Sequence, residues 1–276
     1  PEPDADLAKK IKECQSKTDK TYGYRRVWKW LKDRKIERNP KTVLRVMKKY
    51  AEYIKQVEIA ELWNGRKHIV WTLDPEVNVL SGANGIGKST ILNRVVSGVK
   101  ALSNMAEGGI TVVTHPEDAN MLRYDIITTP EVRCEFDENL SLLQERVGHY
   151  PHNERWSLFC DIVDDMFSVT EKTIRRDAPQ VELWQWGEML DMKLLSSGEK
   201  QLLIILMTVL LQDGDFTVLL MDEPEVSLHI EWQQELIETI RRLNPNVQII
   251  LTTHSPAIIM NGWMDKVTEV GDITIQ

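Results

Sequence analysis

Gly82, Gly87, Lys88 and Ser89 stand at the spacing G-x-x-x-x-G-K-[ST], and the chemistry of that spacing is phosphate binding. Gly82, Gly85 and Gly87 permit backbone angles that turn several N–H groups toward phosphate oxygens. Lys88 supplies a point charge for the outer phosphates, and the Ser89 hydroxyl can sit on Mg²⁺. The whole loop, with Ala83, Asn84, Ile86 and Thr90, is therefore read as a cradle for a nucleoside triphosphate. Asp222 and Glu223 follow the apolar run Phe216 to Met221. Asp222 can hold Mg²⁺, mostly through water, and Glu223 can orient and deprotonate an attacking water. His254 follows another apolar run, Val247 to Leu251, and can donate a hydrogen bond to a terminal phosphate and report its loss. An acidic strand end or a lone histidine is ordinarily structural; the phosphate loop upstream gives these residues a chemical reading.

The elements that must position these groups are legible. Val77 to Ser81 reads as a buried strand entering the loop, and Ile91, Leu92, Val95 and Val96 as one face of the helix leaving it. That helix adds its positive end to the phosphate site. The runs ending at Asp222 and before His254 are strands of a parallel α/β sheet, whose carboxyl ends face a ligand crevice. Tyr53 to Leu62 and His68 to Leu73 are further strands. Ile110 to Thr114, Tyr124 to Thr128 and Val132 to Phe136 read as short β segments. Leu140 to Val147 and Trp156 to Phe167 read as helices. Val181 to Trp186 and Met189 to Lys193 suit strands, and Val267 to Gln276 two short edge strands. Leu195-Ser196-Ser197-Gly198-Glu199-Lys200-Gln201 opens an apolar helix from Leu202 to Leu211, and taken alone is a polar helix cap.

The 276 residues suit one or two domains with a sizeable core. No apolar run reaches the ~18–20 residues of a membrane span. No signal-peptide pattern is read and no membrane partner is expected. Cys14, Cys134 and Cys160 have no metal-ligand spacing and suggest reduced cysteines in a cytoplasmic protein. Charge is uneven. Residues 1–50 carry 16 Lys and Arg against 7 Asp and Glu, while the whole chain has net charge −8. A basic arm on an acidic body points to nucleic acid.

That arm reads as three helices. Leu7 and Ile11 mark the first; Val27, Trp30 and Leu31 the second; Val43, Leu44 and Met47 the third, with Lys41, Arg45, Lys48 and Lys49 outward. Asn39 is a suitable N-cap and Pro40 a suitable first helical residue. Thr21-Tyr22-Gly23-Tyr24-Arg25-Arg26-Val27 and Asn39-Pro40-Lys41-Thr42-Val43-Leu44-Arg45-Val46-Met47 resemble the helix-turn-helix segment of insertion-sequence DDE transposases, over residues 4–50. The catalytic domain of that family does not follow, so transposition chemistry is not implied. A helical cap that touches no DNA fits the same pattern. Tyr50-Ala51-Glu52-Tyr53 joins this arm to the body without a Gly, Ser or Pro linker.

With the phosphate loop and the carboxylate pair in place, Leu195-Ser196-Ser197-Gly198-Glu199 resembles the signature motif of ABC-type ATPases. The region from about Tyr53 to Gln276 is similar to that superfamily. Asp222-Glu223-Pro224-Glu225-Val226-Ser227-Leu228-His229 and Thr253-His254-Ser255-Pro256 place the likeness in its RecF/OLD-like, SMC-related branch. The resemblance implies a mixed or parallel sheet with helices and a small antiparallel β subdomain over 52–276, preceded by the all-α segment 1–50. It implies ATP and Mg²⁺ as cofactors, Lys88, Glu223 and His254 as catalytic residues, and Ser89 and Asp222 as metal ligands. It implies an ATP-dependent homodimer, each ATP held between one P-loop and the other subunit's Ser196, Gly198 and Glu199. It also implies a separate effector, in DNA maintenance or anti-phage and mobile-element defence, with DNA contact through residues 1–50. No glutamine falls at the expected Q-loop between residues 100 and 140, Gln144 being nearest. Trp63 and Trp71 are the candidates for stacking on adenine. A transporter nucleotide-binding subunit, or a nucleotide-gated DNA-binding regulator without turnover, remain alternatives.

Overall fold

A computed structural model describes residues 4–17, 24–49, 52–63, 65–102, 109–116, 122–128 and 133–275. Thr21-Tyr22-Gly23 and the Tyr50-Ala51 junction lie outside the described residues, as do the side chains of Tyr24, Arg25, Leu44, Lys48, Lys49 and Cys134.

Helices α1 (Ala5–Lys17), α2 (Tyr24–Asp33) and α3 (Pro40–Lys49) form the basic arm. Leu7, Ile11, Cys14, Val27, Trp30, Leu31, Val43, Val46 and Met47 make its own apolar cluster. Asn39 caps α3, its Oδ1 accepting from the Lys41 amide at 2.8 Å. The arm meets the body where Phe216 packs on this cluster and Arg26 pairs with Asp213 at 2.8 Å.

Strands β1 (Tyr53–Leu62), β2 (Lys67–Thr72), β4 (Ile110–His115) and β12 (Thr274–Ile275) build an antiparallel sheet in the order β12-β2-β1-β4. Strands β3 (Val77–Ser81), β5 (Tyr124–Thr128), β9 (Thr217–Asp222), β10 (Val247–Thr252) and β11 (Val267–Glu269) build a parallel sheet in the order β11-β3-β10-β9-β5. Alternate residues of the parallel strands serve two cores, as a period of two requires. Leu80, Leu220 and Ile250 face the antiparallel sheet and α4 (Lys88–Ala101). Val79, Met221 and Leu251 face α5 (Arg133–Val147), α6 (Glu154–Met166), α7 (Ser197–Leu211) and α8 (Ile230–Leu243). Every residue of α7 from Gly198 to Met207 is buried, the mark of a helix surrounded by protein. Strands β6 (Lys172–Ile174), β7 (Leu183–Gln185) and β8 (Glu188–Leu190) form a small antiparallel sheet, and α9 (Ala257–Met260) follows β10.

The expected strand at 132–136 is corrected: residues 133–136 begin α5. Phe136, Leu140, Leu143 and Val147 recur at helical spacing and are buried together in the α-helical core. Strand β6 had no sequence signal, and the end of the expected strand at 189–193 is a 3₁₀ turn, Met192–Leu194. Cys14 and Cys160 are buried, and burial pushes their thiols up to about 11 and about 12.

Asp215 lies at the arm–body seam. Its Oδ2 accepts from Arg123 at 3.0 Å, while its Oδ1 is buried without a hydrogen-bond partner among the described residues. Burial outweighs the Arg123 charge and raises its pKa to about 7. A folded-state pKa above the unfolded value means that this carboxyl costs stability as it ionises between pH ~4 and ~7. Asp215→Asn removes that dependence. Urea denaturation at pH 5 and pH 8 is expected to show the variant gaining on the wild type at the higher pH; equal differences at both would contradict the assignment.

Candidate active site

The glycine-rich loop 82–87 joins β3 to α4, and its shape depends on glycine. Gly82, Gly85 and Gly87 have φ of +148°, +76° and +102°, the region that side chains with a Cβ avoid. Gly87 is the N-cap of α4 and offers no side-chain acceptor. First-turn amides with no side-chain cap suit an external anion. Lys88 is buried, and its Nζ donates to Gly82 O at 3.0 Å and Ala83 O at 3.4 Å. The amine thus lies in the hollow of the loop.

The parallel register brings the other groups level. Thr252 pairs with Leu80 on one side and Asp222 on the other. The Thr252 hydroxyl donates to Asp222 Oδ1 at 2.5 Å and accepts from the Glu223 amide at 3.1 Å. Thr252 therefore orients the Asp222 carboxylate and fixes the backbone of Glu223, a role carried by no motif signal in the sequence. Glu223 has φ +46°, a strained angle for a non-glycine residue and one that collects at functional sites. Its Oε1 lies 2.7 Å from His254 Nε2. Lys88 Nζ lies 3.1 Å from His254 Nδ1 and 2.7 Å from Nε2. Nε2 is thus the ring nitrogen nearer to both neighbours, and which of these contacts carries the proton is set by the tautomer. The structure thus joins Lys88, His254 and Glu223 in one chain of contacts.

A Cβ at Gly87 would run into the Trp63 ring. Trp63 is 38% exposed, and the Lys67 ammonium stands 5.1 Å from its ring centroid. Trp71 is buried in the core between the sheets and is excluded as an adenine platform. Gln144 sits in α5 and donates to Val181 O at 3.1 Å, outside this constellation. Strand β5 instead brings Thr128 level with Asp222. Ser89 and Asp222 supply hard oxygen donors suited to Mg²⁺. No cluster of three His, Cys, Asp or Glu capable of holding a metal occurs among the described residues.

The segment Ser196 to Glu199 is a capping box. Ser196 Oγ accepts from the Glu199 amide at 3.2 Å, and the Ser196 amide donates to Glu199 Oε2 at 2.9 Å. Its hydroxyl also donates to that Oε2, at 2.9 Å. The hydroxyl is thus engaged within its own turn, recruited by the acid three residues after the N-cap serine. Burial pushes the Glu199 carboxyl up, but Lys172 and Ser196 hold it below the usual carboxylate range. Gly198 packs against the Ser227 carbonyl, which a Cβ would overlap. Ser196, Gly198 and Glu199 line a groove of about 750 Å³ with Lys172, Val169 and Leu194; Lys88 is not part of its wall.

A parallel sheet with this loop, these strand ends and a second antiparallel sheet is the SMC/ABC ATPase-like fold, and the structure overlays the solved "SmcHead bound to the C-winged helix domain of ScpA". The TM-score is 0.53 at 14% identity, over 76% of this chain and 92% of that one. Residues 187–261, from the small sheet through Asp222 to the His254 loop, match the family described as "AAA domain, putative AbiEii toxin, Type IV TA system". Residues 2–51 match the family "HTH-like domain", as the basic arm suggested. The chain is 24% identical over 155 residues to the "Retron Vc95 probable ATPase" of Vibrio cholerae serotype O1 biovar El Tor, covering 49% of this chain and 30% of that protein. It therefore spans less than a third of that relative. It is 23% identical over 218 residues to the "Phosphate import ATP-binding protein PstB" of Salinibacter ruber (strain DSM 13855 / M31), covering 72% of this chain and 80% of that one. No helix among the described residues is long and apolar enough to cross a membrane.

Gly198→Ala forces the α7 start away from the Ser227 carbonyl. Overpacking of this kind costs ~1–3 kcal/mol, so thermal unfolding is expected to fall by several degrees. Ser196→Ala, which removes only a cap, is expected to cost about 1 kcal/mol. An unshifted Gly198→Ala melting curve would count against the close packing.

Proposed function

We propose that this chain is an Mg²⁺-dependent ATPase switch that closes as a homodimer around two ATP molecules and acts through a separate effector. The observation that carries this reading is the contact chain of Lys88, His254 and Glu223 at the mouth of the P-loop. Lys88 takes the outer phosphates, Glu223 activates the attacking water, and His254 bridges the two. Mg²⁺, held by Ser89 and through water by Asp222, would neutralise phosphate charge. Trp63, standing beside Gly87, is the adenine platform.

Dimerisation is supported by the separation of the two half-sites. Ser196 and Gly198 open into a groove rimmed by exposed Val169 and Leu194, and the Lys88 loop lies elsewhere on the chain. A second copy would set that groove over the phosphates. The retron ATPase and toxin–antitoxin likenesses support service in defence. The HTH-like arm supports DNA contact. Arg45 there is exposed and pairs with Asp4 at 3.0 Å, an exposed pair worth little and open to exchange for phosphate. The PstB likeness favours a second reading, a transporter nucleotide-binding subunit, which would co-purify with a membrane component.

Light scattering on Glu223→Gln is expected to show monomer passing to dimer on adding ATP and Mg²⁺, and Ser196→Arg to abolish the shift. Turnover in Glu223→Gln is expected to drop ~10²–10⁴-fold. A wild type that neither binds nor hydrolyses ATP would overturn the reading. Deleting residues 1–50 is expected to flatten the dependence of DNA affinity on salt; unchanged affinity and slope would remove DNA from the proposal.

A further inference from the structure

Glu225 is 8% exposed, and one of its oxygens gathers three donors. Its Oε1 accepts from the Thr253 hydroxyl at 2.6 Å, the His254 amide at 2.7 Å and the Ser255 amide at 3.2 Å. All three belong to the loop that leaves β10. Its Oε2 is buried with no hydrogen-bond partner among the described residues. A carboxylate offers several lone-pair sites, and its bonds to N–H and O–H groups are charge-assisted and strong. The convergence of donors on one oxygen, at the cost of an unpaired buried second one, marks a carboxylate that fixes a backbone rather than one that merely solubilises a turn.

We propose that Glu225 is a positioning residue for His254, and this rests on the nucleotide reading of the same site. It clamps the backbone of Thr253 to Ser255 so that the imidazole meets Lys88 and Glu223 together. Glu225 stands two residues after Glu223 in the turn closing β9, so one turn carries both the base and the clamp. Movement of that turn therefore moves His254 with it. Helix α8 backs the arrangement through Gln233. Its Oε1 accepts from the Ser255 hydroxyl at 2.6 Å, and its Nε2 donates to Leu228 O at 2.9 Å. The loop is thus held from two sides, and among the described residues only Glu225 holds the His254 amide itself.

The test uses the full chain and Glu225→Gln, which keeps the shape and an acceptor oxygen but removes the charge. ATP turnover is expected to fall roughly tenfold to a hundredfold, the scale of a small misplacement of a reacting group, with KM changed less than about threefold. In a His254→Ala background the same substitution is expected to add less than about a twofold loss, because the ring it positions is gone. Losses that multiply in the double variant, or unchanged turnover in the single one, would overturn the proposal. Amide hydrogen exchange at His254 and Ser255 in nucleotide-free protein is expected to be about tenfold faster in Glu225→Gln. Unchanged exchange sinks the clamp even in a chain without ATPase activity, whereas a wild type inert toward ATP with faster exchange in the variant sinks only the nucleotide reading.

Discussion

Strand β10 is the constraint on which the site depends. Its backbone ladders to β3 and β9 hold Leu80, Thr252 and Asp222 in one row. Parallel pairing sends all three strands toward the same edge, so the phosphate loop and the acidic turn leave the sheet side by side. A register slip of one residue would turn every side chain of β10 to the opposite core. Ile250 faces the antiparallel sheet while Ile249 and Leu251 face the helices, and burial on both faces resists such a slip.

The same strand ties the two sheets together. Gln248 is buried, and its amide both accepts from Ile54 N and donates to Ile54 O, each at 2.8 Å, and donates to Asp74 O at 2.9 Å. A side chain here completes hydrogen bonds that backbone would otherwise leave unmade in the interior. Asp74 is held in turn by Lys266 at 2.8 Å, next to the edge strand β11. The antiparallel sheet, the entry to β3 and the sheet edge are therefore tied into one frame around the loop. Onto this frame the turn after β9 adds local strain at Glu223, tolerated because its amide is bonded to both the carbonyl and the hydroxyl of Thr252.

Much of this was legible in the chain. The glycine and lysine spacing marked the loop, because only positive φ and a fixed charge make such a cradle. The apolar runs before Asp222 and His254 marked strands buried on both faces. The Asn39-Pro40 pair marked the start of α3. The failures were equally physical. Residues 132–136 looked like strand because Val132, Cys134 and Phe136 alternate with Arg133 and Glu135, and the helix emerges only when Leu140, Leu143 and Val147 are counted with Phe136. Strand β6 is three residues long, too short to carry a period.

By itself the sequence determined which residues could do chemistry and on which elements they sit, because loop spacing and hydrophobic period are local properties. Only the tertiary structure decided their partners. That His254 meets both Lys88 and Glu223, that Thr252 steers Asp222, and that Trp71 is core while Trp63 stands at the loop all depend on contacts between elements far apart in the chain. Such contacts are set by register and packing, which no local spacing encodes.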